Sequence, residues 1–462
     1  MASSSYNINE ASEIFHSSNN DEIKVLTVGV FETADSSVSE HDFLYSMQEL
    51  DELVYACDMV PVAQITQNLD HVHKSLYVGT GKVSEVKLRA QAYDAELVVC
   101  NDTLSPSQYR NLQKELGMPV MDRTALIIEI FKKRAKSREA MLQVEYAHLT
   151  YIKTRLVGMW DTLGRKGGAS GSMSSRGEGE TQLELDRRAI DKKLAALRRE
   201  LVTVKGERMV RRQKREKSSV KLASLIGYTN AGKSTIMNAL VDRFSPADYQ
   251  DADSSKKVFE ANMLFATLDS SVRHIVPGKS GDFLLSDTVG FIHKLPTSLV
   301  EAFKSTLEEA AKADLLIIVV DRSDINHKLH MQVTEEILSE LSAGDIPRII
   351  VYNKSDLCDP PISYPELGAE RRDGGANGGT EKSIYISAKD SASIDMLVSL
   401  ITSELYGSIV SAQFLIPYDK GQIVNVLMEN TEVTGVDYTE NGTMIQCQLS
   451  STLYEKYKDY TV

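Results

Sequence analysis

No apolar run in the chain approaches the roughly eighteen residues that a membrane-spanning helix needs. Cysteine is scarce. Cys57, Cys100, Cys358 and Cys447 lie far apart, with no CxxC pair and no clustered histidines, which excludes a zinc module or a disulfide framework. The same scarcity suits a reducing cytosol, so a cytoplasmic protein is expected. Cys100 closes the apolar run Leu97-Val98-Val99 and reads as a core residue. The N-terminus lacks a basic start followed by an apolar stretch, and it carries Glu10, Glu13, Asp21 and Glu22. Neither a secretory signal nor an organelle transit peptide fits, and residues 1–22 are expected to be a short disordered lead. No internal repeat of fixed period is present. Positive charge is in deficit overall: the net charge of −13, taken alone, speaks against nucleic acid.

What is present is an ordinary globular composition, 42% hydrophobic and 25% charged, in a chain of 462 residues, too long for one core. Residues 23–136 alternate strand-like and helical patterns. Glu22–Val30 and Leu97–Cys100 read as strands, and Phe43–Ala56 and Tyr109–Leu116 as helices, the latter ended by Gly117 and Pro119. A small α/β domain with a parallel sheet follows. In residues 137–218, Leu142, Leu149 and Leu156 recur at seven, as do Leu183, Ile190, Leu197 and Val204. Two such helices predict an antiparallel hairpin. Between them, Asp161–Gly179 holds six glycines and the basic residues Arg165, Lys166 and Arg176, a loop longer than a bare turn requires. Residues 219–408 resume the alternation, with strands expected at Leu222–Ile226, Phe283–Asp287, Leu315–Val320, Arg348–Tyr352 and Ser383–Ile386. Glu366–Thr380, rich in glycine and charge, is expected as a surface loop. Residues 409–462 carry strand-like Phe414–Ile416 and Met444–Leu449 around helical Ile423–Met428, enough for a small α/β module. The fold class is therefore α/β and multidomain, with a mostly parallel sheet in the third domain.

The strongest chemical signal is Gly227-Tyr228-Thr229-Asn230-Ala231-Gly232-Lys233-Ser234-Thr235, which contains a complete GxxxxGK[ST] between an apolar strand and a helix. Such a loop turns backbone N–H groups inward around phosphate oxygens, and the helix N-terminus adds partial positive charge. Lys233 is expected on the β- and γ-phosphates and Ser234 on Mg²⁺. Asn353-Lys354-Ser355-Asp356, directly after a strand, chooses the base. Guanine presents N1–H and N2–H₂ side by side, and one carboxylate, Asp356, can accept from both, whereas adenine offers neither. Asn353 is expected to tie its loop back to the phosphate loop, the Lys354 stem to cover the ring, and Ser387-Ala388-Lys389 to offer backbone donors to the guanine carbonyl. Asp287-Thr-Val-Gly290 follows another strand: Asp287 is expected to hold Mg²⁺ through water, and the Gly290 N–H to reach the γ-phosphate. Thr267 is the candidate for a threonine that joins Mg²⁺ when the γ-phosphate is present. Phe291 stands where many GTPases have a glutamine, and it cannot hydrogen-bond an attacking water. Slow intrinsic hydrolysis of GTP is the expectation, with Lys233, Thr267 and Gly290 as the catalytic groups.

These residues resemble the HflX family of ribosome-associated GTPases. The resemblance rests on Gly227–Thr235, on Asp287-Thr-Val-Gly-Phe-Ile-His-Lys-Leu-Pro296 and on Val300-Glu-Ala-Phe-Lys-Ser-Thr-Leu-Glu-Glu309. It extends to Tyr77-Val-Gly-Thr-Gly-Lys-Val83, Leu104-Ser-Pro-Ser-Gln-Tyr-Arg-Asn-Leu112, Asp122-Arg-Thr124 and Arg176-Gly-Glu-Gly-Glu-Thr-Gln-Leu-Glu184. It implies binding to the large ribosomal subunit, GTPase stimulation there, and splitting or rescue of stalled ribosomes, with the hairpin loop near the ribosomal RNA core. Family members typically carry a Gly-Gly-Gly-Ile-Gly-Thr-Arg-Gly type of tip; Gly167–Gly177 is longer and altered here. Asn230 matches an asparagine that helps related GTPases bind K⁺, which implies potassium stimulation. Gly79-Thr-Gly-Lys82 is half a phosphate loop and reads as a turn.

One basic segment offsets the acidic average. From Arg187 to Lys217 thirteen Lys or Arg face four acids, a local +9. Alone this is either a solvated helix face or an address for a polyanion; with the resemblance, RNA is the expected partner of a monomeric protein. The alternative is a GTP-gated RNA- or protein-binding switch that does not act on whole ribosomes.

Overall fold

The computed structural model describes residues 22–36, 38–165, 176–216, 220–245, 264–265, 271–278, 281–294, 299, 312–341, 343–371, 380–407 and 409–462. Its contacts divide into two units. One comprises Met1–Glu207, Met263–Phe265 and His293–Phe303, the other Arg208–Asn262, Ala266–Ile292 and Lys304–Val462.

The first unit opens with an all-parallel sheet of β1 (Ile23–Glu32), β2 (Met59–Leu69), β3 (Leu97–Cys100) and β4 (Val120–Asp122), in the order β2-β1-β3-β4. Between and after the strands run α1 (Glu40–Ala56), α2 (Thr80–Ala92), α3 (Pro106–Leu116) and α4 (Arg123–Arg134). Local chemistry sets the helix ends. Ser39 with Asp42, and Ser105 with Gln108, form capping boxes at α1 and α3, and Gly117 ends α3 in the left-handed region at φ 68°. Leu26, Val28, Val98, Cys100 and Val120 fill the core between sheet and helices, and Cys100 is fully buried.

Sequence periodicity found β1, α1, β3 and α3 and overlooked the other four. β2 is an edge strand with only two buried residues and with Pro61 inside it, so it lacks a continuous apolar run. Gly79-Thr-Gly-Lys82, expected as a turn, instead opens α2 with Gly79 at its N-cap.

Asp122 is the knot of this unit. Its Oδ1 accepts from Ala125 N–H and from the Tyr151 hydroxyl, both at 2.9 Å. Its Oδ2 accepts from Leu104 N–H at 2.9 Å and from the Arg155 guanidinium, which lies between the rings of Tyr109 and Tyr151. Next to it in sequence, the buried Arg123 pairs with the buried Glu49 and donates to Asn101 Oδ1 at 2.9 Å. Asp122 and Arg123 of the Asp122-Arg-Thr124 motif thus find their charged partners inside the fold.

Arg155 belongs to α5 (Arg138–Arg165), which pairs with α6 (Arg176–Glu216). The two run antiparallel. Arg138 meets Glu200 at 3.3 Å, Arg198 donates to the Tyr146 hydroxyl at 2.6 Å, and Lys153 meets Asp191 at 2.6 Å. Leu149, Leu156 and Leu194 are buried. The helices run into the glycine-rich segment from both sides, to Arg165 and from Arg176; residues 166–175 lie outside the described residues.

The second unit holds β5 (Lys221–Gly227), α7 (Lys233–Phe244), β6 (Ser271–Ile275), β7 (Phe283–Asp287), β8 (Leu315–Asp321), α8 (His327–Glu340), β9 (Arg348–Asn353), β10 (Glu366–Arg371), β11 (Thr380–Tyr385) and α9 (Ser391–Tyr406). The seven strands order as β10-β11-β9-β8-β5-β7-β6, parallel except for β10 and β6 at the two edges. The expectation of a loop over Glu366–Thr380 is corrected: Glu366–Arg371 is β10, paired with β11 from Glu366↔Tyr385 to Arg371↔Thr380. Charge there imitates loop composition, but charged side chains also suit an edge strand, where they block further pairing. Residues 372–379 lie outside the described residues.

Last come β12 (Ile409–Ile416), α10 (Gly421–Asn430), β13 (Glu432–Thr439), β14 (Gly442–Ser450) and α11 (Ser451–Tyr457), with an antiparallel order β12-β14-β13 around Phe414, Leu427, Ile445 and Cys447. β13 and α11 were not legible in the sequence. Among the described residues no helix is long and apolar enough to cross a membrane, and all four cysteines are free.

Asp122→Ala leaves the Arg155 guanidinium buried without its carboxylate. The substitution is expected to lower the stability of the first unit by about 3–5 kcal/mol. A urea titration followed by circular dichroism measures it; an unchanged transition would show that the knot is dispensable.

Candidate nucleotide site

β5 is an interior strand, between β8 and β7, and the chain leaves it at Gly227 into a loop that turns into α7. Gly232 makes the entry possible: its φ is 93°, and a Cβ there would lie 2.2 Å from Asn353 Nδ2. α7 begins with no side-chain cap, so its first-turn N–H groups face a position suited to an anion. Lys233 is buried, and its ammonium donates to the carbonyls of Gly227 at 2.9 Å and Tyr228 at 2.6 Å. Burial pushes its pKa down to about 8, against the pull of Asp287.

Asp287 ends β7 beside β5 and is fully buried. Burial drives its pKa up to about 6, while Lys233, Ser234 and the Thr288 backbone favour the charged form. Ser234 Oγ donates to Asp287 Oδ2 at 3.2 Å, whereas Oδ1 has no hydrogen-bond partner among the described residues. A buried carboxylate oxygen with spare acceptor capacity next to a hydroxyl is an oxygen donor set that fits a hard divalent cation such as Mg²⁺. Among the described residues no cluster of three His, Cys, Asp or Glu offers a rival metal site.

Beyond Asp287 the chain stays stitched to the phosphate loop. Thr288 Oγ1 donates to Leu225 O at 2.8 Å, Phe291 N–H donates to Gly227 O at 3.1 Å, and Thr229 N–H donates to Phe291 O at 2.8 Å. Gly290 is pressed so close that a Cβ on it would lie 2.9 Å from Thr229 Cα and 3.0 Å from Lys233 Nζ. The Phe291 ring is buried.

At the other end of the site, Asn353 closes β9. Its Nδ2 donates to Ala231 O at 3.0 Å, and its Oδ1 accepts from Ala388 N–H at 3.0 Å. One buried amide therefore joins the phosphate loop to the Ser387-Ala388-Lys389 loop, in which Ser387 and Ala388 are buried and Lys389 is exposed. Lys354 sits in the left-handed region at φ 60°, and its ammonium pairs with Asp321 at 2.7 Å. Asp356 lies in the single turn Ser355–Leu357 with its carboxylate exposed.

Of the residues singled out in the sequence, the structure brings together Gly227, Tyr228, Ala231, Gly232, Lys233, Ser234, Asp287, Gly290, Asn353 and Ala388 through these contacts. Thr229 shares the contact with Phe291, Asn230 takes a left-handed φ of 59° within the loop, and Thr235 lies in the first turn of α7. Thr267 lies outside the described residues. Sequence reasoning missed two partners. Asp321 carried a usable signal, an acid at the end of an apolar strand; His330, whose ring stacks on Tyr228 at 3.9 Å, carried none.

In nucleotide- and cation-free protein the raised Asp287 pKa means that the folded state takes up a proton between about pH 6 and 4 that the unfolded state does not. The charged form is a penalty above that window and none below it. Asp287→Asn is therefore expected to stabilise this form by about 3 kcal/mol at pH 7. The advantage should vanish below about pH 4, and urea midpoints across pH measure it.

Residues 45–132 match the family described as GTP-binding GTPase N-terminal, residues 134–215 its GTP-binding GTPase Middle Region, and residues 223–354 the 50S ribosome-binding GTPase family. GTPase HflX of Caldanaerobacter subterraneus subsp. tengcongensis is 39% identical over 417 residues, covering 90% of each chain. That of Lacrimispora saccharolytica is 37% identical over 95% of this chain and 97% of its own, and that of Escherichia coli 36% over 82% and 83%. Among solved structures, a GTP-binding protein from Sulfolobus solfataricus in complex with GDP covers 83% of this chain and 98% of its own at 21% identity, with a TM-score of 0.39. Identity above one third along nearly the whole length, with the phosphate loop and its partners assembled, assigns the chain to the HflX family of GTPases.

Proposed function

We propose that this GTPase acts on the large ribosomal subunit, hydrolysing GTP to GDP and phosphate as it splits or rescues stalled ribosomes. The observation that carries the guanine part is the Asn353 amide, bonded at once to Ala231 and to Ala388. It holds a phosphate-binding loop and a base-binding loop in one frame. In this reading the Asp356 carboxylate accepts from guanine N1–H and N2–H₂, the Lys354 stem covers the ring, and the Ser387–Lys389 backbone donates to the guanine carbonyl. Gly227–Thr235 surround the phosphates, and Lys233 shifts its ammonium onto the β- and γ-phosphates. Ser234, Asp287 and Thr267 hold Mg²⁺, which supplies charge neutralisation on the phosphate oxygens. Gly290 N–H meets the γ-phosphate, and Asn230 supports K⁺.

The ribosomal part rests on three supports: the family description of residues 223–354, the relatives named HflX, and the +9 segment Arg187–Lys217 on an antiparallel hairpin. Thirteen cations against four acids are in excess of what alternating surface pairs need, and phosphate backbones are their natural counterpart. The hairpin of residues 137–218 and the domain of residues 23–136 then grip RNA. Residues 219–408 time the grip and residues 409–462 extend the protein, which works as a cytoplasmic monomer with hydrolysis stimulated by ribosomes.

Two experiments test this. Asp356→Asn replaces an acceptor by a donor; guanine affinity should fall about 100-fold or more, and xanthine nucleotides, with a carbonyl where guanine has its amino group, should bind better than before. Retained preference for GTP would overturn the base-reading role. In sedimentation of ribosomes with protein and non-hydrolysable GTP, the protein should travel with large subunits and whole ribosomes should decrease, and Lys/Arg→Ala changes in Arg187–Lys217 should flatten the salt dependence. Intact ribosomes with no subunit-bound protein would leave the GTP-gated switch for another partner as the surviving account.

A further inference from the structure

We propose that His330 is a positioning residue for the phosphates, acting through Tyr228. The inference rests on the guanine-nucleotide reading of the pocket. Tyr228 occupies the second position of the phosphate loop, and its ring is almost fully buried. A large aromatic at the start of a loop that must close on phosphate needs a surface to lie on. His330, itself buried at the end of the first turn of α8, provides it. The two rings are nearly parallel, 10° apart in plane, with centroids at 3.9 Å.

The backbone of the stacked residue holds the critical cation. Tyr228 O accepts from Lys233 Nζ at 2.6 Å, shorter than the companion bond to Gly227 O at 2.9 Å. A ring fixed from outside the loop fixes the direction of this carbonyl. The carbonyl in turn holds the ammonium at the spot from which it reaches phosphate. A lysine on its own stem has four rotatable bonds and no such fixed aim.

The helix that carries His330 is tied to the base-reading side as well. Asp321, at the end of β8, pairs with Lys354 at 2.7 Å, and Arg322 N–H donates to Asn353 O at 2.9 Å. From there Asp324 closes the turn into α8: its carboxylate accepts from Asn326 N–H at 2.8 Å, and its carbonyl from His327 N–H at 3.2 Å. Nine positions beyond Asp321, which contacts the base-reading loop through Lys354, the chain reaches the ring that braces the phosphate loop. The charged and titratable groups near the imidazole are Asp321, Asp324 and His327. Burial holds the imidazole below its ordinary pKa and so favours its neutral form.

A brace that aims Lys233 should alter the grip on the β-phosphate and leave the grip on the base untouched. The test therefore compares GDP with GMP in competition binding to the full-length protein with magnesium. His330→Ala is expected to weaken GDP binding about three- to ten-fold, the range an aromatic pair contributes. GMP binding should stay at the wild-type value. His330→Phe, which keeps the stacking face and loses the ring nitrogens, should restore GDP binding. Tyr228→Leu should reproduce the His330→Ala loss, and the double variant should be no worse than either single one, because both remove one interaction. Unchanged GDP binding by His330→Ala, a parallel loss of GMP, failure of His330→Phe to rescue, or additive losses would each overturn the proposal. Wild-type protein that binds no guanine nucleotide is a distinct result and removes the site reading beneath it. Circular dichroism melting of each variant separates a lost brace from a lost fold, and the phenylalanine variant keeps the core volume filled where alanine does not.

Discussion

The nucleotide site depends on a side-chain amide, that of Asn353. It donates to Ala231 in the phosphate loop and accepts from Ala388 in the loop after β11, with both bonds at 3.0 Å and the amide buried. An amide can do both at once in a fixed plane, from two atoms on a single carbon. Asp at this position would lose the donor, and Ser would not span the gap. Because the bonds are buried, losing either leaves an unpaired polar group at a cost of about 1–3 kcal/mol, enough to loosen one loop relative to the other. Gly232 is part of the same constraint, since its missing Cβ is what admits the amide.

Within that frame, the charges are under-compensated by design of the pocket. Lys233 is pushed down to about 8 and Asp287 up to about 6, each mainly by burial and each partly relieved by the other. The two shifts run in opposite directions from one cause, burial that disfavours the charged form of each group, and they describe one pair that is short of solvent. The spare Asp287 Oδ1 makes the same point geometrically. A phosphate chain and a divalent cation bring the complementary charges, so part of their binding free energy comes from ending this deficit.

Legibility followed the strength of local pattern. The strands that build the site, β5, β7, β8 and β9, are continuous apolar runs bounded by motif residues, and they were read to within a residue. The motifs named the groups at both ends of the pocket, and the Asn353 link to the phosphate loop was read from the same logic. Partners supplied by the three-dimensional packing of distant segments were not legible. His330 is one polar residue on an ordinary amphipathic helix, and nothing in its neighbourhood marks the ring it meets about a hundred positions earlier. β2, β10 and β13 share a different cause: each is a sheet edge, where one flank needs no apolar cover and the period-two signal fades.

Phe291 connects this frame to the chemistry. Its ring offers no hydrogen bond, yet its backbone makes two with the phosphate loop, at 3.1 and 2.8 Å. In the proposed reading a γ-phosphate draws on Gly290 N–H, the residue directly before that stitching. Two net backbone bonds amount to about 1–3 kcal/mol, and one charge-assisted bond from a peptide N–H to phosphate returns about 1.5–3 kcal/mol. Were the γ-phosphate contact made at the expense of those two bonds, the exchange would be nearly balanced, and nucleotide alone would not commit the loop to either arrangement. A small further bias from a surface that favours one arrangement is then sufficient to decide it, since 1.4 kcal/mol shifts such an equilibrium about tenfold. On the proposed function, the missing glutamine and such a loop would have one consequence: the timing of hydrolysis would lie with whatever binds the protein rather than with the pocket by itself.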